Sequence, residues 1–322
     1  MQPLWHDEAT IRVGISSCLL GEEVRWDGGH KRDRFLTDEL APYVEWVAVC
    51  PEVEIGMGTP RETVQLVREH GGLQMVGTRS RRDWTEAMES FAVRRVRALE
   101  HLDLCGYVLK KDSPSCGMER VKVRDANGMA KRDGRGLFAE ALLTAIPALP
   151  VEEEGRLNDP VLRENWIERV FAYRRLRSLF HGHFSVGRLV AFHTAHKLQL
   201  LAHSTEAYRR LGRLVAGAKK LERAELRERY ETGFMDALAE RATPRRQVNV
   251  LQHCLGYFKE RLEPKTRAAL AAQVADYQKG LVPLVVPVTM IRHYVEQLGI
   301  EYLAGQVYLE PHPKELMLRN RV

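Results

Sequence analysis

The periodicity of the chain changes abruptly near Pro160, and this limits the folds open to it. Before that point, short β-branched or aromatic stretches alternate with amphipathic ones. Arg12-Val13-Gly14-Ile15-Ser16, Trp46-Val47-Ala48-Val49, Leu73-Gln74-Met75-Val76 and Gly106-Tyr107-Val108-Leu109 read as strands, while Phe35–Val44, Thr63–Glu69, Trp84–Leu102 and Leu137–Ile146 read as helices. Alternation of this kind predicts a mainly parallel sheet covered by helices. Beyond Pro160 the strand signal stops. Val161–Phe180, Val186–His203, Thr205–Gly217, Leu221–Ala242, Arg245–Glu263 and Pro264–Lys279 all carry apolar residues at helical spacing, with Pro244 and Pro264 at helix starts.

The expected architecture is therefore an α/β amino-terminal domain with a mainly parallel, Rossmann-like sheet (residues 1–160), followed by an all-α carboxy-terminal domain (161–322). The acidic segment 150–160 is the expected join. Charge divides along the same line. Residues 1–165 hold 23 Lys and Arg against 28 Asp and Glu (net −5), and residues 166–322 hold 26 against 15 (net +11). A basic helical half points to a polyanion partner. The longest apolar run, Leu281–Met290, contains two prolines and is too short to cross a bilayer. The opening Met1–Glu8 lacks the basic and apolar regions of an export signal. A cytoplasmic protein with no membrane partner is expected.

Five widely spaced cysteines fit reduced thiols. Three of them, Cys18, Cys50 and Cys116, lie at or just beyond the carboxy-terminal ends of expected strands. In an open parallel sheet those ends share one edge, where ligands bind, so the three thiols can converge. Cys105 precedes its strand and Cys254 lies in a helix; both read as small buried hydrophobes. Three convergent thiolates suit either zinc with a water or a [4Fe-4S] cluster with one open iron, and spacing does not choose between them.

Four motifs, in order, carry a resemblance. Ser16-Ser17-Cys18-Leu19-Leu20-Gly21 with Val24-Arg25-Trp26-Asp27-Gly28-Gly29-His30-Lys31 comes first. Cys50-Pro51-Glu52 with Gly56-Met57-Gly58-Thr59-Pro60-Arg61 is second, and Asp83-Trp84-Thr85 third, with Trp84 where a valine is usual. Lys110-Lys111-Asp112-Ser113-Pro114-Ser115-Cys116-Gly117 is fourth. This half resembles the 2-thiouracil desulfidase (TudS-like) family. The second half is similar to the YbgA-like domain through Phe192–Lys197, Tyr208–Gly212 and Tyr308–Leu316.

The resemblance implies a non-redox desulfidase with a [4Fe-4S] cluster on Cys18, Cys50 and Cys116, the substrate sulfur binding at the free iron. The fused form resembles enzymes that convert 4-thiouridine in tRNA to uridine and release sulfide. By resemblance and position, Glu52 is the expected general base, with Glu54 its competitor, and Ser113 the expected hydrogen-bonding or proton-moving group. Asp27, Gly28, Gly29, His30, Lys31, Arg61 and Lys110 are the expected substrate-binding residues, Arg61 orienting either a phosphate or a neighbouring carboxylate. The tension between an acidic domain and an anionic substrate predicts a locally basic surface near Arg25, His30, Lys31, Arg61, Lys110 and Lys111.

In the helical half, cations with little neighbouring acid are the expected RNA contacts: Arg174, Arg175, Lys197, Arg209, Arg210, Lys219, Lys220, Arg245 and Arg246. His193 and His196 read as structural, since two histidines make a poor metal site. Two other readings compete with the tRNA desulfidase. One is a desulfidase of free 2-thiouracil or thiouridine, and the other a non-catalytic iron–sulfur RNA-binding or sensor protein.

Overall fold

The computed structural model describes residues 10–69, 71–125, 127–181 and 183–321. The segment read for an export signal, residues 1–8, lies outside the described residues. The described residues fall into two compact units, 10–159 and 160–321.

The first unit contains strands β1 (Arg12–Ser16), β2 (Glu45–Val49), β3 (Val64–Glu69), β4 (Gly72–Gly77), β5 (Gly106–Leu109), β6 (Val121–Asp125), β7 (Ala130–Gly134) and β8 (Val151–Glu153). Four of them make an all-parallel sheet in the order β2-β1-β5-β8. Helices α1 (Pro51–Glu54), α2 (Thr85–Glu100) and α3 (Leu137–Ala145) accompany it. The central strands are apolar because both faces are covered. Val13, Ile15, Val108 and Leu109 are fully buried. Gly14 pairs with Tyr107. A Cβ on Gly14 would stand 2.1 Å from the Tyr107 ring, so the bare backbone is what lets that ring lie across β1. Tyr107 in turn packs against Phe138 of α3, and Phe138 against Phe91 of α2.

A second four-stranded sheet, in the order β4-β3-β6-β7, was not expected. Thr63–Glu69, read as helical, is instead β3 in an antiparallel hairpin with β4, Leu66 facing Met75. Six residues are too few for periodicity to separate helix from strand. The partner strand across Gly71, whose φ of 82° makes the turn, decides the matter. Leu73–Val76 is a strand, but of this sheet rather than the parallel one. The expected helix Phe35–Val44 is a π turn (Phe35–Leu40) followed by a 3₁₀ turn (Ala41–Tyr43), where Pro42 removes a backbone donor.

Every regular element among the second unit's described residues is helical. It contains α4 (Pro160–His181), α5 (Val186–Ala195), α6 (Lys197–His203), α7 (Thr205–Ala216), α8 (Arg223–Ala239), α9 (Pro244–Gly256), α10 (Pro264–Gln278), α11 (Val285–Leu298) and α12 (Glu301–Ala304). The expected single helix Val186–His203 breaks at His196, the junction of α5 and α6. Pro244 and Pro264 occupy first turns, and the Thr243 hydroxyl caps α9 by accepting from the Arg246 amide. Among the described residues no helix is long and apolar enough to cross a membrane.

Candidate functional site

The parallel sheet sets the site by its carboxy-terminal edge. β1 ends at Ser16 and turns at once into a 3₁₀ turn, Ser17–Leu20, which carries Cys18. β2 ends at Val49, and Cys50 caps the short helix α1, with Pro51 at its first position. β5 ends at Leu109 and leads into the loop that carries Ser113, Ser115 and Cys116. All three cysteines line one cavity of about 410 Å³, together with Glu52, Arg61, Ser113 and Ser115. Cys105, at the opposite end of β5, is buried away from it, and Cys254 is buried in α9.

Burial pushes the Cys18 thiol up to about 11, against the opposing pull of Lys110 and Arg25. Burial also raises Cys50 and Cys116. The hydroxyl of Ser16 at the end of β1 and that of Ser115, 3.8 Å away, favour the Cys116 thiolate. Among the described residues no group of three or more His, Cys, Asp or Glu side chains is arranged to hold a metal ion.

Glu52 is held from two sides. Arg61 donates to its Oε2 through Nη2 at 2.6 Å and Nε at 3.0 Å, a pair with little exposure. The Ser115 hydroxyl donates to Oε1 at 2.7 Å. Ser113 Oγ lies 2.9 Å from Ser115 Oγ and accepts the backbone N–H groups of Ser115 (3.3 Å) and Cys116 (3.1 Å). With its oxygen occupied as acceptor, Ser113 is left to donate, which directs the chain Ser113→Ser115→Glu52. Glu54 points elsewhere, accepting from the Cys50 amide and pairing with Arg95 of α2 at 3.3 Å.

Of the expected substrate-binding residues, Lys31, Arg61 and Lys110 line the cavity, while Asp27, Gly28, Gly29 and His30 do not. Those four form a turn in which Asp27 and His30 are exposed and Gly28 and Gly29 half-buried. Asp27 Oδ1 accepts from the Gly29 amide at 3.1 Å, Gly28 takes φ 77°, and His30 Nδ1 accepts from the Arg32 amide. Arg61 holds the neighbouring carboxylate of Glu52, and its Nη1 also donates to the carbonyls of Val24 and Gly58. Lys110 pairs with Glu154. Arg25, Lys31, Arg61, Lys110 and Lys111 face two lining carboxylates, Glu52 and Asp112, so the wall is basic within an acidic half. Asp83 and Thr85 serve the backbone, Asp83 accepting from the Thr85 amide and hydroxyl and Thr85 accepting from the Met75 amide.

Sequence reasoning passed over Ser115, the only hydroxyl that touches Glu52 among the described residues, although Ser113-Pro114-Ser115 places two hydroxyls in one turn. Ser16 and Glu154 were also missed as parts of the site.

In the helical unit, one expected RNA contact is corrected. Arg175 is buried, its Nε meeting His196 and its Nη1 the Pro311 carbonyl. Arg246 ties the His203 carbonyl and Glu240. Arg174 and Lys197 are partly buried, whereas Arg209, Arg210, Lys219, Lys220 and Arg245 are exposed. His193 meets the Tyr230 hydroxyl at 3.1 Å, and His196 the Phe192 carbonyl at 2.7 Å, so both are structural.

Residues 13–154 match the family described as 2-thiouracil desulfurase. Residues 197–313 match DUF1722, described as a protein of unknown function. YbgA of Escherichia coli (strain K12) is 34% identical over 153 residues, 47% of this chain and 90% of that protein. YbbK of Bacillus subtilis (strain 168) is 32% identical over 153 residues, 45% of this chain and 97% of that protein. A solved structure described as the [4Fe-4S]-dependent thiouracil desulfidase TudS aligns at 29% identity with a TM-score of 0.38, covering 47% of this chain and 95% of that one.

Proposed function

Because the chain belongs, through residues 13–154, to the 2-thiouracil desulfurase family, we propose that it removes sulfur from 4-thiouridine in tRNA, leaving uridine and sulfide. The observation that carries the reading is the meeting of three strand-end thiols with a doubly held carboxylate in one cavity. An all-thiolate donor set suits an iron–sulfur cluster. Cys18, Cys50 and Cys116 would hold it. When bound, such a cluster supplies a soft Lewis acid at the iron that lacks a protein ligand.

The chain's own groups do the rest. Glu52 takes the proton from the attacking water, as a carboxylate whose orientation Arg61 fixes by two hydrogen bonds that converge on Oε2. Ser115 holds the other oxygen, and Ser113 orients Ser115. Lys31 and Lys111 sit in the wall with no carboxylate at ion-pair distance among the described residues, leaving them to meet an anionic substrate. The sulfur of a base stacked in RNA is inaccessible to this cavity, so the nucleotide must be turned out of its stack. The exposed cations of α7 and the turn that follows it, Arg209, Arg210, Lys219 and Lys220, supply phosphate contacts.

Free 2-thiouracil is the second reading, favoured by the family's own description and by a cavity sized for one base. Anaerobic reconstitution followed by incubation with bulk tRNA separates the two. Mass spectrometry should show 4-thiouridine converted to uridine with matching sulfide. Turnover of free thiouracil while tRNA 4-thiouridine persists would overturn the tRNA reading. Protein that takes up no iron would overturn both and leave a non-catalytic RNA-binding role.

A further inference from the structure

The desulfidase reading gives the Trp26 indole no role, although its place in the molecule asks for one. Four tryptophans lie among the described residues. Trp166 is fully buried, Trp46 and Trp84 are half-buried, and the Arg82 guanidinium covers the Trp84 ring at 3.9 Å. Trp26 alone is exposed, at 45%, and among the described residues no aromatic ring and no cation lies over it. The open surface is mostly ring, because the side chain is most of a tryptophan and the Trp26 carbonyl already accepts from the Arg61 amide at 2.9 Å. A lone exposed apolar side chain needs no explanation. Trp26 differs because it lines the cavity of about 410 Å³ that holds the three thiols, and it is the one aromatic side chain in that wall among the described residues.

The backbone of this segment is fixed to the site. Arg61, which holds Glu52, donates its amide to Trp26 and its Nη1 to the Val24 carbonyl at 2.9 Å, and Cys50 Sγ lies 3.8 Å from that same Val24 oxygen. Beyond Trp26 the Arg25 amide donates to the Gly29 carbonyl at 3.1 Å and closes the turn. One arginine thus sets both the carboxylate and the segment that carries the indole. A tryptophan held in this way has only its two side-chain torsions to lose when a ligand covers it.

We propose that Trp26 stacks on the pyrimidine ring of the base that is to lose its sulfur. The proposal rests on the desulfidase reading of the same cavity and names what holds the base there. A thiopyrimidine is polar at its rim and flat on its faces. Hydroxyls, lysines and Glu52 in the wall suit the rim, while the faces need a flat apolar partner, which Trp26 supplies. The need is greatest for a base turned out of RNA, since it has given up the stacking of its neighbours.

Equilibrium binding of uridine to the anaerobically reconstituted full chain tests this without turnover, with 5,6-dihydrouridine as the control that keeps the polar rim but has a puckered, saturated ring. Uridine should quench the tryptophan emission of the parent chain and not that of Trp26→Phe. Trp26→Phe keeps a flat ring and should hold the affinity within about threefold, whereas Trp26→Leu, apolar but not flat, should weaken it about tenfold or more. Dihydrouridine should bind the parent chain no better than uridine binds Trp26→Leu. Iron content should be equal in all three proteins. In desulfidation, Trp26→Leu should raise KM and leave kcat within a few-fold. No saturable uridine binding, equal binding of dihydrouridine, or Trp26→Leu with unchanged affinity and KM overturns the proposal, and the last of these leaves the desulfidase reading standing. Uridine binding that depends on Trp26 in a protein that turns over no thiopyrimidine defeats that reading and upholds the stacking site.

Discussion

Glutamine at position 52 keeps the shape of the carboxylate and one oxygen for Arg61, but cannot take a proton. Glu52→Gln should therefore retain iron and lose roughly 10²–10⁴-fold in kcat, measured on reconstituted protein. Glu54→Gln touches the Arg95 pair and the Cys50 amide instead, and should leave kcat within a few-fold. The thiols divide in the same way. Cys18→Ser, Cys50→Ser and Cys116→Ser should each abolish iron binding and activity, while Cys105→Ser and Cys254→Ser keep both; iron content per chain checks this. The choice between Glu52 and Glu54 was hidden in the sequence because α1 is barely one turn long. Two carboxylates two apart on such a turn face different neighbours, and only those neighbours, Arg61 and Arg95, tell them apart.

At the scale of elements, a single glycine links α3 to the cysteine loop. A Cβ on Gly136 would lie 2.4 Å from the Ser115 carbonyl oxygen, and the Gly136 amide donates to the Gly117 carbonyl. Gly136→Ala must displace the backbone that carries Ser115 and Cys116, at a cost of about 1–3 kcal/mol. The α/β unit should still fold, but with reduced iron content, readable by metal analysis beside circular dichroism. The parallel strands were legible because a doubly covered strand is apolar throughout. Of the second sheet only Leu73–Val76 was read as a strand. Val121-Lys122-Val123-Arg124 alternates buried and exposed as a one-sided strand should, whereas Thr63–Glu69 fits either period until β4 is set beside it.

The helical unit carries a pH dependence of defined sign. His193 and His312 are lowered to about 4, and His196 falls further, each chiefly by burial. Above pH 6.5 they are neutral whether the chain is folded or not, and their effect on stability is nil. Between 6.5 and 4 the unfolded chain takes up protons that the folded chain refuses, so stability falls, by up to about 3 kcal/mol for each of the first two. His203 works the other way. Despite burial, Glu168 raises it, giving stability that is full below 6.5 and lost as pH rises through its raised value. Thermal scans should show the unit's Tm dropping from pH 6.5 to 4, with His203→Gln flattening the alkaline side. Docking of tRNA should be salt-sensitive. Replacing Arg209 and Arg210 on α7 by alanine should weaken binding and reduce the slope of log K against log salt by about 2.

The sequence by itself determined the change of fold class near Pro160, the strand ends on which Cys18, Cys50 and Cys116 lie, and the basic bias of the helical half. These follow from local periodicity, from the rule that parallel strands share an edge, and from charge counts. Tertiary structure alone decided which polar groups are spent on the chain itself. In the sequence Arg175 and Arg246 look like the surface cations Arg174 and Arg245 beside them, yet one is buried and the other tied to a carbonyl and a carboxylate. Ser115 looks like a turn residue, yet its hydroxyl holds Glu52. A side chain's role depends on what stands 3 Å away, and in a folded chain that neighbour comes from 63 residues off, as for Ser115 and Glu52, where no local pattern can record it.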